Sequence, residues 1–370
     1  MKTLIITLEY PPQIGGVASY TYNLAKSMPS EDVVVYAPKL KGWEEYDKKK
    51  TWKIIRANPY FSFLWPRWLR LFWQILDIVK QERIEQIYVH HALPCGYVAY
   101  MIKKLKHIPY TIFFHGTDLL TGVKNKKNKL KKVCASADKI IVNSKFLQRQ
   151  FEVNFEDLKK EIKVVYPCPD SIFLEKASDA ELKKIKSQLA LEGKKVIITV
   201  ARMSEGKGFP HLIRLLPKIL EKVPNLVWLI IGDGPKKNEI IAAIQKNYLQ
   251  NVTRFIGQVP YTQLPKYYQV SDALVLLTHP DETVQEAWGT SFVEAAASGI
   301  PSVAGRSGGV EEAVENLVTG LVVDIYQDQS IISAVADMLK ESDYAQKMGA
   351  AGRERVVKEF TWQKQLEKLI

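Results

Sequence analysis

Short, mostly apolar runs alternate along this chain with longer stretches of helical periodicity. In the first half such runs fall at Thr3–Thr7, Val33–Tyr36, Gln86–Val89, Tyr110–Phe114 and Lys139–Val142. Near-continuous apolar runs of four or five residues predict strands buried on both faces. The stretches between them, beginning with Val17–Ser27, predict helices. The alternation weakens between Tyr166 and Gly193, where Pro167 and Pro169 precede a polar helical stretch. It then restarts. Strands are predicted at Lys195–Val200, Val227–Ile231, Val252–Ile256 and Ala273–Leu277, with helices at Phe209–Lys222, Lys236–Asn247 and Leu264–Val270. Pro301-Ser302-Val303, Glu311–Asn316, Gly320–Val323 and two helical stretches close the chain. Strand–helix alternation in two blocks predicts an α/β protein of two doubly wound, Rossmann-like domains.

Length agrees with two domains, since 370 residues exceed what a single core usually supports. A hydrophobic share of 46% and a charged share of 25% are those of an ordinary folded chain. The apolar start is too short for a secretory leader, and no run reaches the roughly 18 apolar residues of a membrane span. The expectation is a cytoplasmic protein, or one held peripherally at the inner face of the cell membrane. Cys95, Cys134 and Cys168 are too far apart for a disulfide framework or a metal cluster. With 52 Lys and Arg against 40 Asp and Glu, the net charge of +12 favours anionic partners without naming one. Basic residues concentrate at Lys48–Lys50 and Lys124–Lys132, runs that are also compatible with plain solvated faces.

Candidate chemistry sits at the strand exits, where open parallel sheets bind ligands. The segment Glu286-Ala287-Trp288-Gly289-Thr290-Ser291-Phe292-Val293-Glu294 has carboxylates at both ends and runs into Ala295-Ala296-Ala297. Gly-Thr-Ser ahead of an alanine-rich run predicts a helix start, whose free N–H groups and positive dipole suit a phosphate. The two carboxylates can then accept from hydroxyls on either side of it, which is the layout of a nucleotide-sugar. Arg202 and Lys207, after the Lys195–Val200 run and with Gly206 and Gly208 beside them, can place a planar fork and a compact cation on one diphosphate. That loop lacks the Lys-Ser/Thr pair of a P-loop. Gly15-Gly16 before a predicted helix allows close phosphate approach or is a plain turn. His115, in His115-Gly116-Thr117-Asp118, can donate to a hydroxyl or serve structure.

Taken together these features resemble glycosyltransferase family 4, the retaining nucleotide-sugar transferases of GT-B fold, over nearly the whole chain. The likeness rests on Pro11–Gly16, His115-Gly116, Asn143-Ser144, Arg202 with Lys207, Gly232-Asp233-Gly234-Pro235, the two-glutamate segment, Gly308-Gly309 and Phe360-Thr361-Trp362. Tyr10-Pro11-Pro12-Gln13-Ile14-Gly15-Gly16 and Met348-Gly349-Ala350-Ala351-Gly352-Arg353 are most similar to the phosphatidyl-myo-inositol mannosyltransferase branch.

The resemblance implies two Rossmann-like domains facing across a cleft. Residues 1–168 would form the acceptor-side domain, completed by a C-terminal helix at 356–370. Residues 169–193 would be the linker region and 194–355 the donor-binding domain. It implies that Arg202 and Lys207 neutralise the diphosphate, Glu286 meets the hydroxyls of the transferred sugar and Glu294 the ribose. Gly289, Thr290 and Ser291 would meet the β-phosphate, Val259 would lie at the base, and Gly16 beside the diphosphate. His115 would position the sugar. Retention is usually described as front-face attack, in which the leaving phosphate helps to deprotonate the acceptor, so no protein nucleophile is assigned. Arg202, Lys207 and a helix dipole can stabilise the leaving group without a metal, and no Asp-x-Asp motif is present; no cofactor is expected.

Branches with nearly identical motifs use GDP-mannose, UDP-glucose or UDP-N-acetylglucosamine, and the branch likeness favours mannose from GDP-mannose. On the acceptor side Tyr10, Gly15, Asp118 and Arg67 are candidates. Tyr60–Trp68 is rich in aromatic residues beside arginines. It runs into a predicted helix with Trp65, Leu69, Phe72, Leu76 and Val79 on one face, and either packs on the sheet or meets an anionic bilayer. With the positive charge, a lipid-linked acceptor is preferred. A nucleic-acid partner is disfavoured because no binding module is recognisable. A dinucleotide-dependent oxidoreductase is disfavoured because the three-glycine fingerprint is missing.

Overall fold

The computed structural model describes residues 1–61, 65–280 and 286–369. The chain divides into two compact units, Met1–Pro167 with Trp362–Ile370, and Cys168–Thr361.

The first unit carries a seven-stranded, wholly parallel sheet. Its strands are β1 (Thr3–Ile6), β2 (Val33–Ala37), β3 (Lys53–Arg56), β4 (Gln86–Val89), β5 (Tyr110–Phe114), β6 (Lys139–Val142) and β7 (Ile162–Val164), in the order β3-β2-β1-β4-β5-β6-β7. Side chains alternate across a strand, so each apolar run feeds two cores. Leu4, Ile6, Val34 and Tyr36 join one, with Leu71, Ile75 and Val98 from the helices Leu69–Gln81 and Cys95–Lys106. Ile5, Val33, Val35 and Ala37 join the other, with Tyr20 and Leu24 from the helix Gly16–Lys26. Both faces are therefore covered, as a parallel sheet requires.

The second unit carries a six-stranded parallel sheet of β8 (Lys195–Val200), β9 (Leu226–Ile231), β10 (Thr253–Gly257), β11 (Ala273–Leu276), β12 (Ser302–Gly305) and β13 (Gly320–Val323), ordered β10-β9-β8-β11-β12-β13. Ile197, Trp228, Val275 and Val303 pack under the helices Phe209–Lys222 and Asp328–Lys340. The Trp228 indole donates to the Thr199 hydroxyl at 2.9 Å, which donates to the Val275 carbonyl at 2.7 Å. These buried bonds tie β9, β8 and β11 together, where an unpaired polar group would be costly.

The order reverses once in each sheet, between β1 and β4 and between β8 and β11. Loops leaving these neighbours diverge and open a crevice at the strand ends.

Three expectations need correction. Residues 356–370 do not form one helix. A helix Ser342–Glu359 ends in the second unit, and a separate turn of helix, Trp362–Glu367, lies in the first. There the Trp362 ring meets Tyr20 edge-on at 5.0 Å, and Gln365 accepts from the Tyr166 N–H at 2.9 Å. The stretch 169–193 belongs to the second unit and contains the helix Asp179–Gln188, capped reciprocally by Ser178 and Glu181. The helix after the aromatic loop begins at Leu69, and its buried face is Leu71, Phe72, Ile75, Ile78 and Val79, with Trp65 outside it and exposed.

Candidate functional site

In the second unit the loops after β8 and β11 meet at the reversal point. Gly208 has φ +75°, and a Cβ there would lie 2.0 Å from the Leu277 carbonyl oxygen, so only glycine lets the β8 loop pass this close to the end of β11. The His279 N–H donates to the Gly206 carbonyl at 3.1 Å, and the Met203 N–H to the Asp233 carbonyl at 2.9 Å. The exits of β8, β9 and β11 are thereby tied together.

On this frame the Lys207 ammonium pairs with the Glu286 carboxylate, both largely buried. The Glu286 carbonyl accepts from the Gly309 N–H at 2.9 Å, which joins the two-glutamate segment to Gly308-Gly309. Arg202 is exposed, and its guanidinium makes no ion pair among the described residues. Thr290–Ala297 is a helix as expected. It starts at Gly289 (φ +88°) with no side-chain cap, so the amides of Thr290 and Ser291 are left to an outside acceptor. The Ser291 hydroxyl donates to the Val200 carbonyl at 2.8 Å, anchoring the helix start to the end of β8.

Close packing fixes this helix from behind. A Cβ on Gly349 would stand 2.2 Å from the Gly299 carbonyl oxygen and one on Gly352 3.2 Å from the Ala296 Cβ, while Arg353 donates to the Ala297 carbonyl at 2.7 Å. The Met348–Arg353 motif thus braces the helix that presents Thr290 and Ser291.

Glu294 is 5% exposed. Its two carboxylate oxygens accept from the Tyr261 hydroxyl at 3.1 Å and the Tyr268 hydroxyl at 3.2 Å. Burial pushes its carboxyl up to about 7, against the lowering effect of the two tyrosine bonds. Burial, then the neighbouring Glu294 charge, raises both tyrosines well above their usual range. Val259 is half-buried just beyond β10.

In the first unit Gly15 precedes and Gly16 begins the helix Gly16–Lys26, again with no side-chain cap. A Cβ on Gly16 would meet nothing within 4 Å, which leaves open space there. Tyr10 is wholly buried, and its hydroxyl accepts from the Trp52 indole at 3.0 Å, so it is a core residue and presents nothing to an acceptor. Asp118 turns back on its own loop, where one oxygen accepts from the N–H groups of His115 at 2.9 Å and Gly116 at 3.0 Å; it holds the His115 turn. Burial raises its carboxyl. Arg67 is exposed, and its carbonyl accepts from the Phe61 N–H at 3.1 Å. Asn143 donates to the His115 carbonyl at 3.1 Å.

Sequence reasoning passed over His90 and His91 at the exit of β4. The His90 Nδ1 lies 3.0 Å from the His115 Nε2, and the His91 Nδ1 accepts from the Leu8 N–H at 3.2 Å. The strand-exit rule that singled out His115 applies equally to His90. Tyr261 and Tyr268 carry no such signal, since their link to Glu294 exists only in space. Among the described residues no three His, Cys, Asp or Glu side chains cluster as a metal site would need.

Comparison with known proteins identifies the family and the fold. The family profile described as "Glycosyltransferase Family 4" matches residues 14–171, and "Glycosyl transferases group 1" matches residues 181–355. The GDP-mannose-dependent alpha-(1-6)-phosphatidylinositol monomannoside mannosyltransferase of Mycolicibacterium smegmatis is 26% identical over 97% of this chain and 94% of its own. N-acetyl-alpha-D-glucosaminyl L-malate synthase of Bacillus anthracis is 23% identical over 84% of this chain and 80% of its own. Among solved structures, HepE of Anabaena in complex with UDP-glucose superposes with a TM-score of 0.82 at 19% identity, covering 100% of this chain and 99% of that one. That likeness concerns the fold. With a profile on each half and relatives aligned along nearly its full length, the chain belongs to the glycosyltransferases of family 4, built on the GT-B pair of Rossmann-like domains.

Proposed function

We propose that this glycosyltransferase moves a hexose, with retention and without a metal, from a nucleoside diphosphate to a lipid-linked or glycan acceptor, and that the donor is GDP-mannose. The observation that carries the reading is the Lys207–Glu286 pair set beside the uncapped start of the Thr290–Ala297 helix, at the reversal point of the second sheet. Breaking the anomeric bond develops negative charge on the departing diphosphate. Arg202, Lys207 and the amides of Thr290 and Ser291 are placed to stabilise it, electrostatic support that supplies a large share of many enzymatic rate gains. Glu286 then binds sugar hydroxyls, Glu294 the ribose, and His115 positions the sugar. The leaving phosphate takes the acceptor proton. GDP-mannose is supported by the mannosyltransferase relatives. A UDP-sugar donor is the second reading, motivated by the N-acetylglucosaminyl relative.

Lys207→Ala and Glu294→Ala lower transfer by about two orders of magnitude or more with the fold intact, given the size of such electrostatic contributions. Near wild-type turnover in folded Lys207→Ala sinks the assignment. A thermal-shift panel of UDP, GDP and ADP reads the base, because ligand binding raises apparent stability. A clear shift with UDP and none with GDP overturns the mannose reading.

An anionic membrane surface is the proposed seat of the acceptor. Trp65 is 87% and Trp73 53% exposed, and Lys129 from the lysine-rich helix Thr117–Ser136 sits 3.8 Å above the Tyr97 ring. Tyr97 packs edge-on to Trp68 at 5.1 Å, so this helix is linked to the end of the aromatic loop; Ser62, Phe63 and Leu64 of that loop lie outside the described residues. Exposed indoles among cations suit an anionic interface. No helix among the described residues is long and apolar enough to cross a membrane. Flotation with anionic liposomes at low salt tests the surface; no binding argues for a soluble acceptor.

A further inference from the structure

His115 is restrained at every point but one. Its N–H is held by Asp118 and its carbonyl by Asn143. Its ring stands edge-on to Tyr20 at 5.0 Å, and its Nε2 lies 3.0 Å from the Nδ1 of His90. The remaining ring atom that can hydrogen-bond, Nδ1, has no partner among the described residues and is not among the buried unpaired atoms, so it is open to a ligand.

We propose that His90 is a positioning residue that locks His115 in the tautomer bearing its proton on Nδ1, so that His115 offers a hydrogen-bond donor, and no basic nitrogen, to a hydroxyl of the transferred sugar. The contact with the sugar rests on the function proposed above. The tautomer rests on the structure of the first unit alone.

One proton lies between the two rings, and it has two possible owners. Burial holds both imidazoles below their usual range, His115 down to about 3, so each ring is neutral with a single N–H. Suppose His115 donates from Nε2. His90 must then accept at Nδ1 and carry its own proton on Nε2. That atom is buried with no partner, and Phe113 stacks on the ring at 4.5 Å. An orphaned buried N–H is among the rarest arrangements in folded proteins, whereas an unsatisfied acceptor is tolerated more often. The other arrangement leaves only a bare lone pair at that position. His90 therefore donates from Nδ1, His115 accepts at Nε2, and the His115 proton resides on Nδ1.

A neutral Nδ1–H cannot take a proton from an acceptor hydroxyl, because the basic nitrogen of His115 is occupied by His90. Deprotonation by the leaving phosphate is consistent with that division of labour. Histidine in water favours the Nε2–H tautomer, so the arrangement depends on the neighbour.

The test uses the full chain labelled with nitrogen-15. Long-range proton–nitrogen correlation spectra near pH 7 read which His115 nitrogen carries the proton. Wild type is expected to show Nδ1–H. His90→Phe, which keeps a ring in the core but removes the donor to Nε2, should release the His115 ring and lower transfer tenfold or more, while affinity for the free nucleoside diphosphate, which lacks the sugar, changes less than twofold. His90→Gln, whose side-chain amide can still donate to Nε2, should keep Nδ1–H and recover most of the lost rate. Nε2–H on His115 in wild type, or wild-type transfer by folded His90→Phe, overturns the positioning role of His90. A confirmed tautomer combined with full activity in His115→Ala overturns instead the sugar contact on which the proposal builds.

Discussion

Replacing Glu294 by glutamine separates the fold from the function at one atom pair. The buried carboxyl holds its proton up to about pH 7 in the folded chain, against an ordinary 4.5. Between those values folding takes up a proton, so wild-type stability falls as pH rises through this window and levels off above it. At 1.36 kcal/mol per pH unit, burying the ionised carboxylate costs wild type about 3 kcal/mol at pH 8 and under about 1 kcal/mol at pH 5. Tyr261 and Tyr268, the titratable groups hydrogen-bonded to it, stay protonated throughout, because burial raises both further. Glutamine has the same shape, bonds to either tyrosine and does not ionise. Urea unfolding of both proteins at pH 5 and pH 8 should therefore show glutamine gaining about 2.5 kcal/mol over wild type between the two values. The proposed ribose contact further predicts that affinity for the nucleoside diphosphate falls at the same time, through loss of a charged acceptor. A stability difference that does not change between pH 5 and pH 8 refutes the burial of an ionisable carboxylate here.

Gly208→Ala forces a Cβ to within 2.0 Å of the Leu277 carbonyl at φ +75°; a loss of about 3 kcal/mol or more in urea unfolding is expected, and wild-type stability would show that the loop gives way. Arg202→Ala should leave stability within about 0.5 kcal/mol, because the side chain is exposed, yet weaken nucleoside diphosphate binding about tenfold in calorimetry. Trp65→Ala should reduce flotation with anionic liposomes and spare nucleotide binding; equal loss of both would point to a structural role for this 87% exposed residue.

The sheets were legible wherever both faces of a strand are buried. The runs at β1, β2, β4, β5 and β6 stand out because every second residue enters a different core. Lys53–Arg56 and Ile162–Val164, the two edge strands, escaped notice for the complementary reason, since only Arg56 among them is fully buried. The uncapped helix start at Thr290 and the Arg202–Gly208 loop were readable because glycine, cation and carboxylate sit at fixed distances along the chain. Through-space partnerships were not. Tyr268 lies 26 residues from the carboxylate it binds, and His90 lies 25 from His115. Tyr10 misled because its motif position suggested a site, while its ring completes the aromatic core with Trp52.

The central claim is that the second unit binds a sugar nucleotide through the loops of β8 and β11. Calorimetric titration of wild type and Lys207→Ala with GDP-mannose and with UDP-glucose tests it most directly. Wild type should bind one donor within the micromolar-to-millimolar range usual for enzyme substrates, and Lys207→Ala should bind it at least about tenfold more weakly. Absence of binding to either donor, or equal binding by Lys207→Ala, would contradict the account.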